Sequence, residues 1–374
     1  MKFCSECFND TEIKGVIDKI DNEDTCEVTN KKSKHIYDTT KHFVLKEYFD
    51  ELLNIYTPIS ELAQNIDKGK TVKVKYDLLN GEWDIFSNKC QHSDVYKILK
   101  SICVEKYEET PELFNDDVII QELYDEKYKL EHSLLQNYTW DDFTNSIKCC
   151  NRFHSNHLKL DILRKACLAS TKRYKKGEKF YRGRISLLEG LQAKDMSAPP
   201  VEKTIDGRVN SAGIRCLYLA NNINTTINEV RAGIFDYITI GTFELKEDII
   251  VVDFRKINKI SPFIFALNGL DLIEYALNKP FLNKINDEMG KSVRKSDSKL
   301  DYIPTQYICD YIKSITLERE NLPSKFMGIE YNSTLCKDGY NLAIFEPELF
   351  ECIETRVYQV QSLEYSTNEI KSII

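Results

Sequence analysis

The chain has 374 residues, 42% apolar and 29% charged, enough for two or three domains with a hydrophobic core in each. Its 14 Gly and 9 Pro are about half the usual share, which excludes collagenous and linker-rich architectures. A net charge of −8 argues against coating nucleic acid, and no apolar run approaches the roughly 18 residues of a membrane span. Met1-Lys2-Phe3-Cys4 opens no signal peptide, so a cytoplasmic location is expected, with neither membrane nor nucleic acid as partner.

Cys4-Ser-Glu-Cys7, followed by Cys26, has the spacing of half a zinc ribbon, because a C-x-x-C turn presents two thiolates to one tetrahedral ion. A second C-x-x-C pair would need cysteine where Thr29 stands, and His35 is a fourth ligand at looser spacing. Two readings stay open: a zinc site on Cys4, Cys7 and Cys26, or a hairpin that buries reduced thiols.

The next stretch reads as helical. Val44, Tyr48, Leu52, Ile55 and Tyr56 recur three or four apart within 42–66, the spacing of one helix face. Similar periodicity predicts helices over 93–104, 116–130 and 140–163. Arg152 and His157 have the R-x4-H spacing of HEPN ribonucleases. The same spacing suits a helix that simply carries both residues on an outer face.

Composition then changes. All six His and both Trp precede residue 158, whereas every Arg lies at or beyond Arg152, and most Gly and Pro come later still. A boundary is therefore expected near 172–177. Beyond it no histidine remains, so catalysis there must rest on carboxylate, hydroxyl and guanidinium groups. Short β-rich runs at 216–220, 237–245 and 249–254 alternate with helical stretches at 224–232 and 304–317, which predicts an α+β fold.

Within this half, Phe180-Tyr181-Arg182-Gly183-Arg184 reads as a strand exposing guanidinium groups. Gly207-Arg208-Val209-Asn210-Ser211-Ala212-Gly213 is a glycine-bracketed loop holding one arginine. Glycines admit close approach of an anion and an arginine fork pairs with phosphate oxygens, so the two segments together suggest a pyrophosphate seat.

The ordered set Tyr181-Arg182, Met196 with Pro199-Pro200, Gly207-Arg208 with Gly213, Leu217 to Ala220, Glu229, Tyr302 with Pro304-Thr305-Gln306, Gly328-Ile329-Tyr331-Ser333, and Asn341 with Phe345 resembles the RES domain. The N-terminal part, with its C-x-x-C and Gly81-Glu82-Trp83-Asp84-Ile85-Phe86-Ser87, is similar to the HEPN-like domain preceding some RES domains. The resemblance implies a zinc-ribbon-like segment over 1–40, a helical HEPN-like domain over 41–172, a RES domain over 173–350 and a C-terminal extension over 351–374. It implies an ADP-ribosyltransferase-like fold that binds NAD and cleaves its nicotinamide–ribose bond by phosphorolysis or hydrolysis. Phosphate would be the co-substrate in the first case. Many such proteins are toxins or defence effectors, so an antitoxin or activating protein is an implied partner.

The chemistry agrees with an absence of histidine, because nicotinamide leaves as a neutral molecule. One carboxylate near an oxocarbenium-like ribose meets the main demand, and Glu229, on a helix that Asn224 or Thr225 would cap, is the candidate. Arg182 and Arg208 are expected to hold the pyrophosphate or a phosphate. Tyr218 is expected to stack on nicotinamide or bond the ribose, Ser333 to donate to a phosphate or the amide, and Asn341 to add a contact. Thr305 and Gln306 are expected to give structural support. The alternatives are an ADP-ribosyltransferase that modifies a macromolecule and a non-catalytic nucleotide-binding regulatory module.

Overall fold

A computed structural model describes residues 1–62, 68–257, 259–267, 271–291, 299–317 and 325–364. Contacts divide the chain into two compact units, Met1–Asn137 with Lys259–Pro280, and Tyr138–Asn258 with Phe281–Ile374. The boundary suggested by composition at 172–177 thus falls inside the second unit. Residue usage records which side chains are common, whereas hydrogen bonds stitch 160–170 to segments much later in the chain: Asp253 N donates to Ser170 O at 2.9 Å and Tyr311 Oη to Leu160 O at 2.6 Å.

The first unit is mainly helical. Strand Lys2–Cys4 pairs antiparallel with Ile36–Asp38, and helix Thr11–Ile17 starts where the Asp10 carboxylate accepts from Glu12 N and Ile13 N, both at 3.0 Å. Its core is aromatic: Phe3 stacks on Tyr37 at 5.2 Å and Phe8 lies 4.9 Å from Phe86. Part of the long 254–301 stretch belongs here. Phe263 packs edge-on against Phe49, and the Asn278 amide donates to His132 O and accepts from Leu134 N.

Three helical expectations change. Helix Val44–Leu53 buries Leu45, Phe49, Leu52 and Leu53 but leaves Val44 57% exposed, so the buried face is rotated from the expected one. Over 116–130, Val118–Ile119 forms a short strand with Thr57–Pro58, and the α-helix is confined to Glu126–His132. Over 140–163, helix Trp140–Asn145 runs into a π-turn at Ser146–Cys150, and the chain is irregular until Leu160. No described helix is long and apolar enough to cross a membrane.

The second unit is α+β. Its sheet comprises β1 (Thr171–Tyr174), β2 (Lys179–Ser186), β3 (Leu217–Ala220), β4 (Tyr237–Leu245), β5 (Ile249–Asp253), β6 (Gly328–Asn332), β7 (Tyr340–Ile344) and β8 (Phe350–Gln359). The order is β8-β4-β2-β3-β7-β6-β5-β1, antiparallel except for β5 with β6. Its helices include α1 (Leu160–Ala169), α2 (Ile223–Val230) and α3 (Ile303–Ser314). Strands 237–245 and 249–253 and helices α2 and α3 fall where sequence periodicity puts them.

Apolar side chains alternate along the strands, so that Phe180, Leu217, Leu219, Leu342 and Ile344 enter one core. On α2, Ile223, Ile227 and Val230 pack instead with Ile238 and Ile240 of β4 and Tyr181 of β2. The segment 350–359, expected as an extension from 351, is one of the sheet's two edge strands and pairs with β4 from Phe350 to Gln359, with a register shift at Ile353.

A close approach constrains the far half of the sheet. A Cβ on Gly328 would lie 2.5 Å from Ala343 O across the β6–β7 ladder. Gly328→Ala is therefore expected to lower stability by about 1–3 kcal/mol, the cost of overpacking a tight site. An unchanged urea midpoint would contradict this.

Candidate functional site

The sheet opens between β2 and β3. These neighbours share a single residue pair, Tyr181 with Ala220, whereas β2 pairs with β4 from Lys179 to Ser186. At the opening lies a cavity of about 300 Å³ lined by Tyr181, Arg182 and Gly183 from β2, Tyr218 to Ala220 from β3, Thr226, Glu229 and Val230 from α2, Tyr331 from β6 and Asn341 from β7.

Helix α2 reaches β2 because position 183 has no side chain. A Cβ there would meet Val230 Cγ2 at 2.6 Å and Thr226 Cγ2 at 2.9 Å. The helix is capped by Asn222, whose Oδ1 accepts from Thr225 N at 2.8 Å, rather than by Asn224 or Thr225. Its last turn brings Glu229 to the mouth of the cavity, where the residue stays exposed. Ser333 Oγ and Asn341 Nδ2 donate to the same carboxylate oxygen, Oε1, at 2.7 and 2.8 Å. Two donors on one oxygen fix the carboxylate's direction and leave Oε2 without a hydrogen bond among the described residues. Ser333 and Asn341, expected as ligand contacts, are thereby partners of Glu229.

Arg182 is half-buried, and its Nη1 is buried with no partner among the described residues. Burial, assisted by Arg184, pulls the guanidinium down to a pKa of about 10, which still leaves it charged at neutral pH. A partly desolvated cation with a buried, unsatisfied N–H in a cavity wall is costly to the fold and has the charge to attract an anion.

Tyr218 is placed in the wall with its phenol already engaged. Its Oη donates to Asn210 Oδ1 at 2.7 Å and accepts from Val209 N at 3.1 Å, and burial raises its pKa well above the usual tyrosine range. The ring is available to a ligand, but the hydroxyl hydrogen is committed to the loop. Gly207 permits this contact, since a Cβ there would sit 2.5 Å from Tyr218 Oη.

Arg208 does not line the cavity. Its guanidinium donates to Glu288 O at 2.7 Å and to Lys291 O, near the end of helix Leu272–Gly290. The loop is pinned from behind by α3: Thr305 Oγ1 donates to Arg208 O at 2.8 Å, and Gln306 Nε2 donates to Gly207 O and Asn210 O. Thr305 and Gln306 thus give the expected structural support. The glycine-bracketed segment acts as a buttress for Tyr218.

Arg152 and His157 lie in the irregular stretch before α1. Arg152 Nε donates to Ile147 O, while His157 Nδ1 bonds Ser155 Oγ and its ring packs on Tyr138. They do not share a helix face. Tyr331, Thr226 and Val230 line the cavity without having been singled out as site residues. Tyr331 sits in an alternating strand and reads from sequence as a core residue.

In the first unit, the Cys4, Cys7 and Cys26 sulfurs lie within 4.8 Å of one another and all three residues are buried. His35 is not part of this cluster; its Nδ1 pairs with Ile20 O at 2.7 Å.

The second unit is thus an α+β domain whose split sheet holds a cavity lined by one cation and one carboxylate. Residues 183–368 match the family model of the RES domain, and this stretch is similar to that family. No curated protein and no solved structure matches the chain.

Arg182→Met keeps an unbranched apolar stem, shorter than arginine's, and removes the charge. It is expected to raise stability by about 1–3 kcal/mol, because the buried Nη1 has no partner among the described residues to offset its desolvation. Inorganic pyrophosphate should raise the melting temperature of the unmodified chain and not that of the variant. A less stable variant, or equal stabilisation of both proteins, would contradict an anion site at Arg182.

Proposed function

We propose that the second unit binds NAD in this cavity and cleaves the bond between nicotinamide and ribose, on an ADP-ribosyltransferase-like fold. The observation that carries this reading is the pairing in one cavity of a half-buried guanidinium, whose buried Nη1 has no partner among the described residues, with a carboxylate held by two hydrogen bonds.

The oxidised nicotinamide ring is a cationic leaving group that departs neutral, so the reaction needs little acid assistance. No histidine lines the cavity. The barrier lies in the positive charge that develops on the ribose, and Glu229 Oε2 supplies the opposing charge. Ser333 and Asn341 hold that carboxylate in place before the substrate arrives, so little reorganisation is required as the charge develops. Arg182 pairs with an anionic oxygen of the dinucleotide. The rings of Tyr181, Tyr218 and Tyr331 give the ribose and pyridine a largely apolar wall. A volume of about 300 Å³ is at the lower end for small-molecule sites and suits the reacting end of a dinucleotide. Loss of cellular NAD is the effect by which such an enzyme acts as a toxin or defence effector.

Incubating the purified chain with NAD, with and without phosphate, and identifying products by mass tests the proposal. Free nicotinamide is expected, with ADP-ribose if water is the acceptor and ADP-ribose 1-phosphate if phosphate is. Glu229→Gln is expected to reduce the rate by about 10²–10³, the scale of losing preorganised charge stabilisation. Ser333→Ala and Asn341→Ala should each cost about tenfold or more, as loss of one bond to a charged group does. In cells, expression should deplete NAD, with relief by Arg182→Ala, Glu229→Ala or Ser333→Ala. Undiminished NAD in both settings would sink the proposal, and label transferred to a macromolecule would redirect it to ADP-ribosyl transfer.

A further inference from the structure

The cysteine cluster of the first unit has a neighbour that lies far away in sequence. Cys7 Sγ and Cys26 Sγ are 3.7 Å apart, close to the roughly 3.8 Å separating two thiolates on a tetrahedral zinc with Zn–S bonds of about 2.3 Å. The Thr29 N–H donates to Cys26 Sγ at 3.4 Å, and such a donor favours the thiolate form. Thr29 itself, at the position a second C-x-x-C would fill, offers a hydroxyl 3.9 Å from Cys4 Sγ.

The turn after Phe86 is sewn onto the Cys4–Cys7 knuckle. Ser87 N donates to Cys7 O at 2.8 Å, Ser87 Oγ to Glu6 O at 2.7 Å, and Lys89 pairs with the Glu6 carboxylate at 2.6 Å. Asn9 Nδ2 donates to Phe86 O at 3.1 Å. These bonds hold Cys90 against the knuckle, buried, with its Sγ donating to Cys7 O at 3.3 Å and lying outside the three sulfurs that are all within 4.8 Å of one another.

We propose that Cys4, Cys7, Cys26 and Cys90 bind one structural zinc ion, with Cys90 taking the vertex that Thr29 does not supply. Zinc prefers soft thiolates, and a four-cysteine structural site leaves no open position, so this centre has no catalytic part in the reading given for the second unit. Binding displaces the four thiol protons to solvent, with no change of oxidation state. The ion would tie strand Lys2–Cys4 and its knuckle to the loop after residue 25 and to the turn ending at Cys90, three segments distant in sequence. A zinc hydroxyl contact from Thr29 is the competing arrangement, and the burial and docking of Cys90 favour the thiolate.

X-ray absorption on the full-length purified chain decides between them without any substitution. About one zinc per chain by elemental analysis, with four sulfur neighbours near 2.3 Å, is the expected result. Three sulfurs and one oxygen or nitrogen would overturn the role of Cys90. A protein that holds no zinc, and takes up none when the reduced chain is dialysed against zinc chloride, would overturn the site itself. Cys90→Ser should release zinc to a chelator at a concentration at least tenfold lower than the unmodified chain requires, whereas Cys103→Ser, a buried cysteine outside the cluster, should not. Equal retention by the two variants would count against the proposal.

Discussion

The parting of β2 from β3 is the constraint on which the site depends. One residue pair joins these strands, and α2 can press on β2 beside that point because Gly183 has no Cβ. Glu229 follows from this placement, since it rides on the last turn of α2 and meets Ser333 and Asn341 from the far side of the opening. A continuous β2–β3 ladder would leave no room for the cavity. A larger residue at 183 would push the helix, and the carboxylate with it, away from its two donors.

Two charges in the same unit, one buried and one half-buried, are treated differently by the fold. Glu330 is fully buried, and burial raises its pKa, but Lys172 Nζ donates to both carboxylate oxygens at 3.0 and 3.1 Å, and Tyr174 and Arg255 add further bonds. Arg255 also pairs with Asp253 at 3.1 Å, which closes a network across β1, β5 and β6. That cluster is saturated, as a structural buried charge has to be. Arg182 has one nitrogen buried with nothing among the described residues to receive its proton. The fold satisfies Glu330 fully and leaves Arg182 Nη1 without a partner among the described residues, and the ligand role proposed for the arginine rests on this contrast.

The buttress behind Tyr218 adds rigidity to the opposite wall. Gln306 holds the backbone of the 207–210 loop, Asn210 holds the Tyr218 hydroxyl, and Thr305 holds Arg208 O. These polar side chains are each paired, so the wall stands as one hydrogen-bonded unit from α3 to the cavity.

Arg182 and Glu229 were brought forward as candidates by the resemblance to the RES domain, whereas local patterning in the amino-acid sequence was enough to place β4, β5, α2 and α3 and to show that the C-terminal part has no histidine of its own. Those features depend on alternation, helical period and residue type over a few positions. The destinations of side chains were decided in three dimensions. Arg208 turned to backbone carbonyls at 288 and 291, Ser333 and Asn341 turned to a carboxylate 104 and 112 positions away, and Cys90 came to rest against a knuckle 83 positions before it. The exposed Val44 and the broken helix after Asn145 belong with them, since which face is buried depends on what packs against it. Periodicity is a property of neighbouring residues, whereas a polar side chain goes wherever the folded chain offers a partner, and distant segments supply most of those partners.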